Sequence, residues 1–199
     1  MERELMLTGI GGQGVQLAAQ VIARAAVLEG RQAMLFGVYS GMMRGGSSDS
    51  TVVVADGPVQ APPLLSHTWS ALVMHHEFWE PMKAKIKPGG VVLLNSSLFE
   101  GELDRGAYRV FDVPVTDLAA SLGNPLGASM VMTGAYAAIT GLIGLDAAVE
   151  AMTQSLPSYR QQHIEGNRIA LHAGFDAAGE QRLAAPAWQP DAIVTGVMS

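Results

Sequence analysis

Leu5-Met6-Leu7-Thr8-Gly9-Ile10-Gly11-Gly12-Gln13-Gly14-Val15 is the stretch that decides the fold. The apolar run from Glu4 to Thr8 reads as a buried strand, and it ends at once in glycine. From Gln13 to Glu29 apolar residues recur at helical spacing: Val15, Ala18, Ala19, Ile22, Ala25 and Ala26. Gly30 follows as a stop signal. Ala33 to Phe36 is the next strand. Strand, glycine turn, helix and strand make a βαβ unit, whose crossover is expected to be right-handed.

Outward from this unit the signals alternate in the same way. Val38 to Ser48 reads as a loop dense in Gly, Met and Ser. Thr51 to Ala55 is β-branched, and the turn Asp56-Gly57 bounds it. Ser70 to Met74 and Tyr108 to Val113 read as strands, as does Val91 to Leu94 after a Pro88-Gly89-Gly90 turn. Glu77 to Lys85 reads as a short helix. The later part is helical: Thr116 to Leu122 with Thr116 as cap, Ser129 to Ile143, Ala147 to Ser155 capped by Asp146, and amphipathic Tyr159 to Phe175. The expected class is α/β: a Rossmann-like, doubly wound, mostly parallel sheet with helices on both faces. Residues 1–175 form its domain. Residues 176–199, with Pro186 and Pro190 around Trp188, form an extended C-terminal arm expected to lie on a neighbour.

Composition removes several function classes. The net charge is -6 and no block of Lys and Arg occurs, so nucleic acid has no electrostatic footprint here. There are no cysteines, which rules out disulfides, cysteine-ligated clusters and a cysteine nucleophile in this chain. That fits a cytoplasmic protein. The start, MERELMLTGIGG, has too short an apolar run and too acidic a flank for a signal peptide. Ser129 to Leu145 is shorter than a membrane span needs, so no membrane insertion is expected. Charged residues are only 15% of the chain, which points to surface covered by a partner.

Gly9 to Gly14 matches G-x-G-x-x-G, in its required place between strand and helix. Glycines there let the backbone turn tightly and approach an anion at a helix N-terminus. A dinucleotide site also needs an acid at the end of the second strand to hold the ribose hydroxyls. That strand instead leads into Gly37-Val38-Tyr39. The glycines therefore serve contact with a phosphate or polar ligand, or close helix–strand packing. The second unusual stretch is Tyr39-Ser40-Gly41-Met42-Met43-Arg44-Gly45-Gly46-Ser47-Ser48. Arg44 is a planar bidentate donor for carboxylate or phosphate, and Gly45 and Gly46 let backbone N–H groups face an anion. Following the second strand, this loop should lie near the first glycine turn. It serves a ligand or a subunit interface.

Together these stretches resemble the gamma subunit of the 2-oxoacid:acceptor oxidoreductases. The resemblance rests on Gly-Ile-Gly-Gly-Gln-Gly-Val with Ala18 and Ala19, then Tyr39-Ser40 and Met43 to Ser47. It continues through Ser50 to Val54, Leu122-Gly123-Asn124 and Met132 to Ala135, and covers roughly Leu5 to Phe175. It implies a thiamine-diphosphate and iron–sulfur enzyme that oxidatively decarboxylates a 2-oxoacid to an acyl-CoA. Thiamine diphosphate, Mg and the clusters are expected on companion alpha, beta and ferredoxin-like subunits, with coenzyme A as co-substrate. The acceptor is ferredoxin or an NAD-reducing subunit. This chain is expected to bind none of these cofactors alone and to hold no catalytic or metal-binding residue. By carry-over, Gly11, Gly12, Gln13, Gly14, Arg44, Gly45, Gly46 and Ser47 border the substrate and coenzyme A region or a subunit interface. Gly41-Met42 replaces the acid or proline that many relatives carry there, which leaves the 2-oxoacid open. A stand-alone Rossmann-type oxidoreductase and a pure scaffold are the alternatives.

Three further features invite chemistry. His75-His76-Glu77 lacks a third metal ligand and reads as a helix cap. Asn95-Ser96-Ser97 is either a ligand contact or a turn. Met130 and Met132 read as core, and Met42 and Met43 as interface.

Overall fold

β1 (Glu2–Ile10) is an inner strand of the sheet. In a computed structural model, residues 1–39, 46–62, 64–101, 103–183 and 186–189 are described. The remaining strands are β2 (Gln32–Tyr39), β3 (Ser47–Ala55), β4 (Thr68–Val73), β5 (Ile86–Asn95) and β6 (Arg109–Val113). They form one six-stranded sheet in the order β2-β3-β1-β4-β5-β6. β1, β4, β5 and β6 are parallel, and β3 runs antiparallel to both β1 and β2. The mostly parallel α/β sheet is as expected. The first unit is not a simple βαβ: β2 does not pair with β1, because β3 folds back from β2 and takes the place between them.

The stretch read as a loop from Val38 to Ser48 is thereby shortened at both ends. β2 extends to Tyr39, and β3 starts at Ser47, where Ser-Ser-Asp-Ser pairs in unbroken register with Ile10 to Leu7. The strand continues through polar residues because they bond sideways. Asp49 accepts hydrogen bonds from the Thr8 hydroxyl at 2.6 Å and the Ser47 hydroxyl at 2.6 Å. Pro88-Gly89-Gly90 also lies within β5 rather than before it, at a register shift against β4.

Helices cover both faces, divided by the two-residue period of the strands. Leu5, Leu7, Val52, Val54, Leu72, Val91 and Leu93 face a large cluster. It includes α1 (Val15–Leu28), α3 (Val115–Ser121), α4 (Ala128–Thr140), α5 (Leu145–Ser155) and α6 (Ile164–Ala177). Met6, Ala71, Val73, Val92 and Leu94 face a smaller one built with Trp79 and Met82 of α2 (Trp79–Lys83). Phe99 and Tyr108 close it edge-on against Trp79. Two expected caps are absent. α3 begins after Pro114, and Thr116 instead accepts a bond from Asn95. α5 begins after Gly144, whose N–H donates to Glu29 at 2.7 Å, and Asp146 lies within the first turn.

α4 is buried along all 13 residues. Its hydroxyls turn inward: Thr133 donates to the Ser129 carbonyl and Thr140 to that of Tyr136. The Tyr136 hydroxyl pairs with Ser70 at 2.9 Å, and burial pushes its pKa above the ordinary phenol range. α4 and α6 meet through two glycines. A Cβ on Gly134 would run into the Leu171 carbonyl, and one on Gly174 into the Val131 carbonyl.

The described part of the C-terminal arm lies on its own subunit, where a neighbour was expected. Arg3, only 6% exposed, stands over the Trp69 ring and donates to the carbonyls of Ala187 and Gln189. Trp188 lies under the Arg31 guanidinium at 4.1 Å and donates to the Leu142 carbonyl. A guanidinium fork supplies donors that the irregular segment cannot find within itself.

Two outcomes follow for stability. Alanine raises intrinsic helix propensity over glycine by about 1 kcal/mol, yet Gly134→Ala and Gly174→Ala should each destabilise by about 1–3 kcal/mol, because a backbone carbonyl cannot yield. Gly57→Ala, where a Cβ meets nothing within 4 Å, should be neutral in the same urea titration. Arg3→Leu should cost roughly 2–3 kcal/mol and should open the segment around Leu183 to Gln189 to limited proteolysis.

Candidate functional site

β1 ends where its flanking polar side chains begin to organise a turn. Gln13 folds back over it: its side-chain oxygen accepts the Ile10 N–H at 2.7 Å, and its backbone N–H donates to the Ile10 carbonyl at 3.0 Å. Gly12 and Gly14 have φ of 105° and 80°, in the left-handed region that a side chain disfavours. Gly14 is the residue before α1, and it contributes no side-chain cap. The first-turn N–H groups of α1 are thus left for an outside acceptor.

The glycines divide their work. Gly9 is there for packing, because a Cβ would lie 2.9 Å from the Met74 Cβ and 3.0 Å from Val15. Gly14 packs as well, with the Ser129 hydroxyl directly against its Cα. Gly12 is different: a Cβ there would meet nothing within 4 Å, so backbone conformation alone calls for glycine. The packing reading of the motif therefore holds at Gly9 and Gly14, and Gly12 is glycine for its backbone conformation.

The two sequence motifs come together. The Gly11 N–H donates to the Gly46 carbonyl at 2.8 Å, tying the turn to the β2–β3 hairpin. Ser47 opens β3 opposite Ile10 and donates to Asp49. Arg44 and Gly45, with Ser40 to Met43, lie outside the described residues. Gln16, in the first turn of α1, donates to the Asp49 carbonyl at 2.9 Å and lies where a Cβ on Gly37 would stand. Turn, helix start and hairpin therefore form one hydrogen-bonded unit.

Asp49 was missed by sequence reasoning. Its signal was an acid one strand away from the glycine turn, in the short polar stretch between the expected loop and the expected strand. It is the strand-end acid nearest the motif, but two hydroxyls already engage it. By strand alternation it faces away from α1. No described residue of β2 supplies the acid of a dinucleotide site.

The other tempting residues are structural. Asn95 is fully buried, donating to the Met74 carbonyl at 3.1 Å and to Thr116 at 2.8 Å. His75 accepts the Glu77 N–H as a cap, and His76 bonds the Leu98 carbonyl at 2.9 Å. Met130 and Met132 are core. Among the described residues, no group of three or more His, Cys, Asp or Glu could hold a metal ion. No described helix is long and apolar enough to cross a membrane.

Comparison with known proteins agrees with this geometry. The model of the pyruvate ferredoxin/flavodoxin oxidoreductase family matches residues 4–177. The chain is 30% identical over 183 residues to the 2-oxoglutarate synthase subunit KorC of Methanocaldococcus jannaschii, covering 90% of this chain and 96% of that protein. It is 28% identical to the pyruvate synthase subunit PorC of Methanothermobacter thermautotrophicus, covering 84% and 93%. Its fold is similar to the crystal structure of the keto/oxoacid ferredoxin oxidoreductase gamma subunit of Geobacter sulfurreducens, with a TM-score of 0.77, 32% identity, and coverage of 89% and 97%. Strand pairing, the glycine turn joined to its hairpin, and these matches along the whole sheet agree: the chain belongs to the pyruvate ferredoxin/flavodoxin oxidoreductase family, as a gamma-type subunit of the 2-oxoacid:ferredoxin oxidoreductases.

Proposed function

We propose that the end of the sheet carrying the glycine turn and the hairpin borders the substrate and coenzyme A region of the assembled enzyme and closes it. The observation that carries this reading is the Gly11–Gly46 hydrogen bond, which brings the turn to the base of the Arg44 loop. A left-handed glycine, an uncapped helix start and an arginine two positions from Gly46 give one region suited to phosphate or carboxylate. This chain binds, orients and excludes water there. It moves no proton, because no acid or base with a free lone pair is assigned to the turn.

The cofactors of the reaction belong to companion alpha, beta and ferredoxin-like subunits in this reading. The whole chain has no cysteine, so an iron–sulfur cluster of the usual ligation does not fit it. Thiamine diphosphate with Mg supplies decarboxylation on those partners, and electrons leave through clusters to ferredoxin or to an NAD-reducing subunit. The relatives are named for different acids, 2-oxoglutarate and pyruvate, at similar identity. The stretch of sequence between β2 and β3, Gly41 to Arg44, is where this chain would bias that choice.

The test is the Arg44→Ala variant in the assembled, anaerobically purified enzyme. An unaltered subunit composition with KM for coenzyme A or the 2-oxoacid raised about 10–100-fold is expected, the worth of a charge-assisted bidentate contact. Normal assembly with unchanged KM and kcat would instead make the chain a scaffold. Tagged wild-type chain should bring down companions carrying iron and thiamine diphosphate; recovery of the chain by itself contradicts the assignment of cofactors to partners.

A further inference from the structure

The two edges of the sheet are built differently. β6 is 5 residues long and carries Arg109 and Asp112. A short, charged edge strand resists pairing with another chain. β2 is 8 residues long and reads Gln-Ala-Met-Leu-Phe-Gly-Val-Tyr, with no charge and no proline. Among the described residues it bonds to β3 alone, so its outer N–H and C=O groups meet no strand. Neither charge, proline nor shortness blunts this edge.

Both faces of the edge are apolar and hollow. Leu35 is 39% exposed and Phe36 is 37% exposed, and as neighbours in a strand they stand on opposite faces. On the α1 face a cleft of about 460 Å³ is lined by Ala33 and Leu35 of β2 with Ala23 and Val27 of α1. On the other face a cleft of about 310 Å³ is lined by Phe36, Leu64, Leu65 and Met82, and Leu64 is 71% exposed. Side chains of an added strand alternate between the two faces. One extended segment therefore fills both hollows while its backbone completes β2. A small molecule reaches only one of them.

The charges beside the edge select the segment. The first cleft carries Arg24 and no Asp or Glu. The second carries Lys85, and its one acid, Asp49, already accepts two hydroxyls. Neither Arg24 nor Lys85 makes an ion pair among the described residues. A second copy pairing through β2 about a two-fold axis would bring Arg24 towards Arg24 and Lys85 towards Lys85, and β2 has no carboxylate to set between them. The complement is a strand of different sequence, apolar on both faces, with Asp or Glu at its flanks.

We infer that β2 is a docking edge, to which an extended apolar segment of a companion subunit, flanked by carboxylates, adds as a further strand. Membership among the gamma-type subunits supplies the companion. The edge runs along the side of the sheet, so the inference does not rest on the reading of the glycine turn.

Hydrogen exchange of the full chain, free and in the assembled, anaerobically purified enzyme, tests this. Outward amides of β2 between Ala33 and Gly37 should exchange at least tenfold more slowly in the assembly. A photo-crosslinking residue in place of Leu35 should join one defined peptide of a companion subunit. On co-expression, Leu35→Glu and Phe36→Glu should lower companion recovery tenfold or more while the melting temperature of the free chain stays unchanged. Ile169→Glu, similarly exposed on α6, should leave recovery unchanged. Arg24→Glu should lower it, and Arg24→Lys should keep it. Equal exchange in the free chain and the assembly overturns the inference. So does a crosslink to a second copy of this chain, or protection in the free chain that is lost when residues 190–199 are removed, since each gives the edge another occupant. Arg44→Ala kinetics read the other proposal separately, so the two fail independently.

Discussion

The distance between α4 and α6 is set by Gly134 and Gly174, each lying directly under a carbonyl of the other helix. The site depends on this contact. Because α4 is buried throughout, it has no freedom to move outward. Its position under α6 and against the sheet decides where Ser129 stands, and Ser129 stands on Gly14. The glycine turn is thus shaped from below by β1 and from the side by α4. A methyl group at the crossing would shift α4 and, with it, the wall of the turn 5 residues away along the helix, from Gly134 to Ser129.

Much of this was legible in the sequence because it followed a period. The apolar runs from Glu4 to Thr8 and from Val91 to Leu94 gave two strands of the sheet. The 3.6-residue period from Val15 to Ala26 gave α1. The failures have a common cause: polar residues satisfied at long range. Ser47 to Ser50 looks like loop because nothing local announces that Thr8 will bind Asp49 across 41 residues of chain. Thr116 and Asp146 look like caps because local rules place them so, whereas Asn95 and Glu29, distant in sequence, take over those contacts. Strand order was likewise invisible, because hairpin formation by β2 and β3 leaves the same pattern as a strand and a loop.

The candidate site divides in the same way. Its backbone part, Gly11 to Gly14, is readable, since glycine in a strand–helix turn has few other uses. Its side-chain part is not. Thr8, Gln16 and Asp49 come from three separate stretches, and only pairing across the sheet reveals that they bond one another. Each passes in the sequence as an ordinary polar residue. The absence of cysteine limits what this chain does in electron transfer, and its backbone and donor groups suit the recognition of anions.

The Arg3 clamp has a mechanical consequence. It pins the third residue to Ala187 and Gln189, so the two ends of the described chain lie side by side. They lie at the start of β1, about 25 Å from the glycine turn that ends it. A segment held to the start of β1 braces the sheet at the pole opposite the turn, so loosening the clamp frays that pole and leaves the backbone of the turn in place.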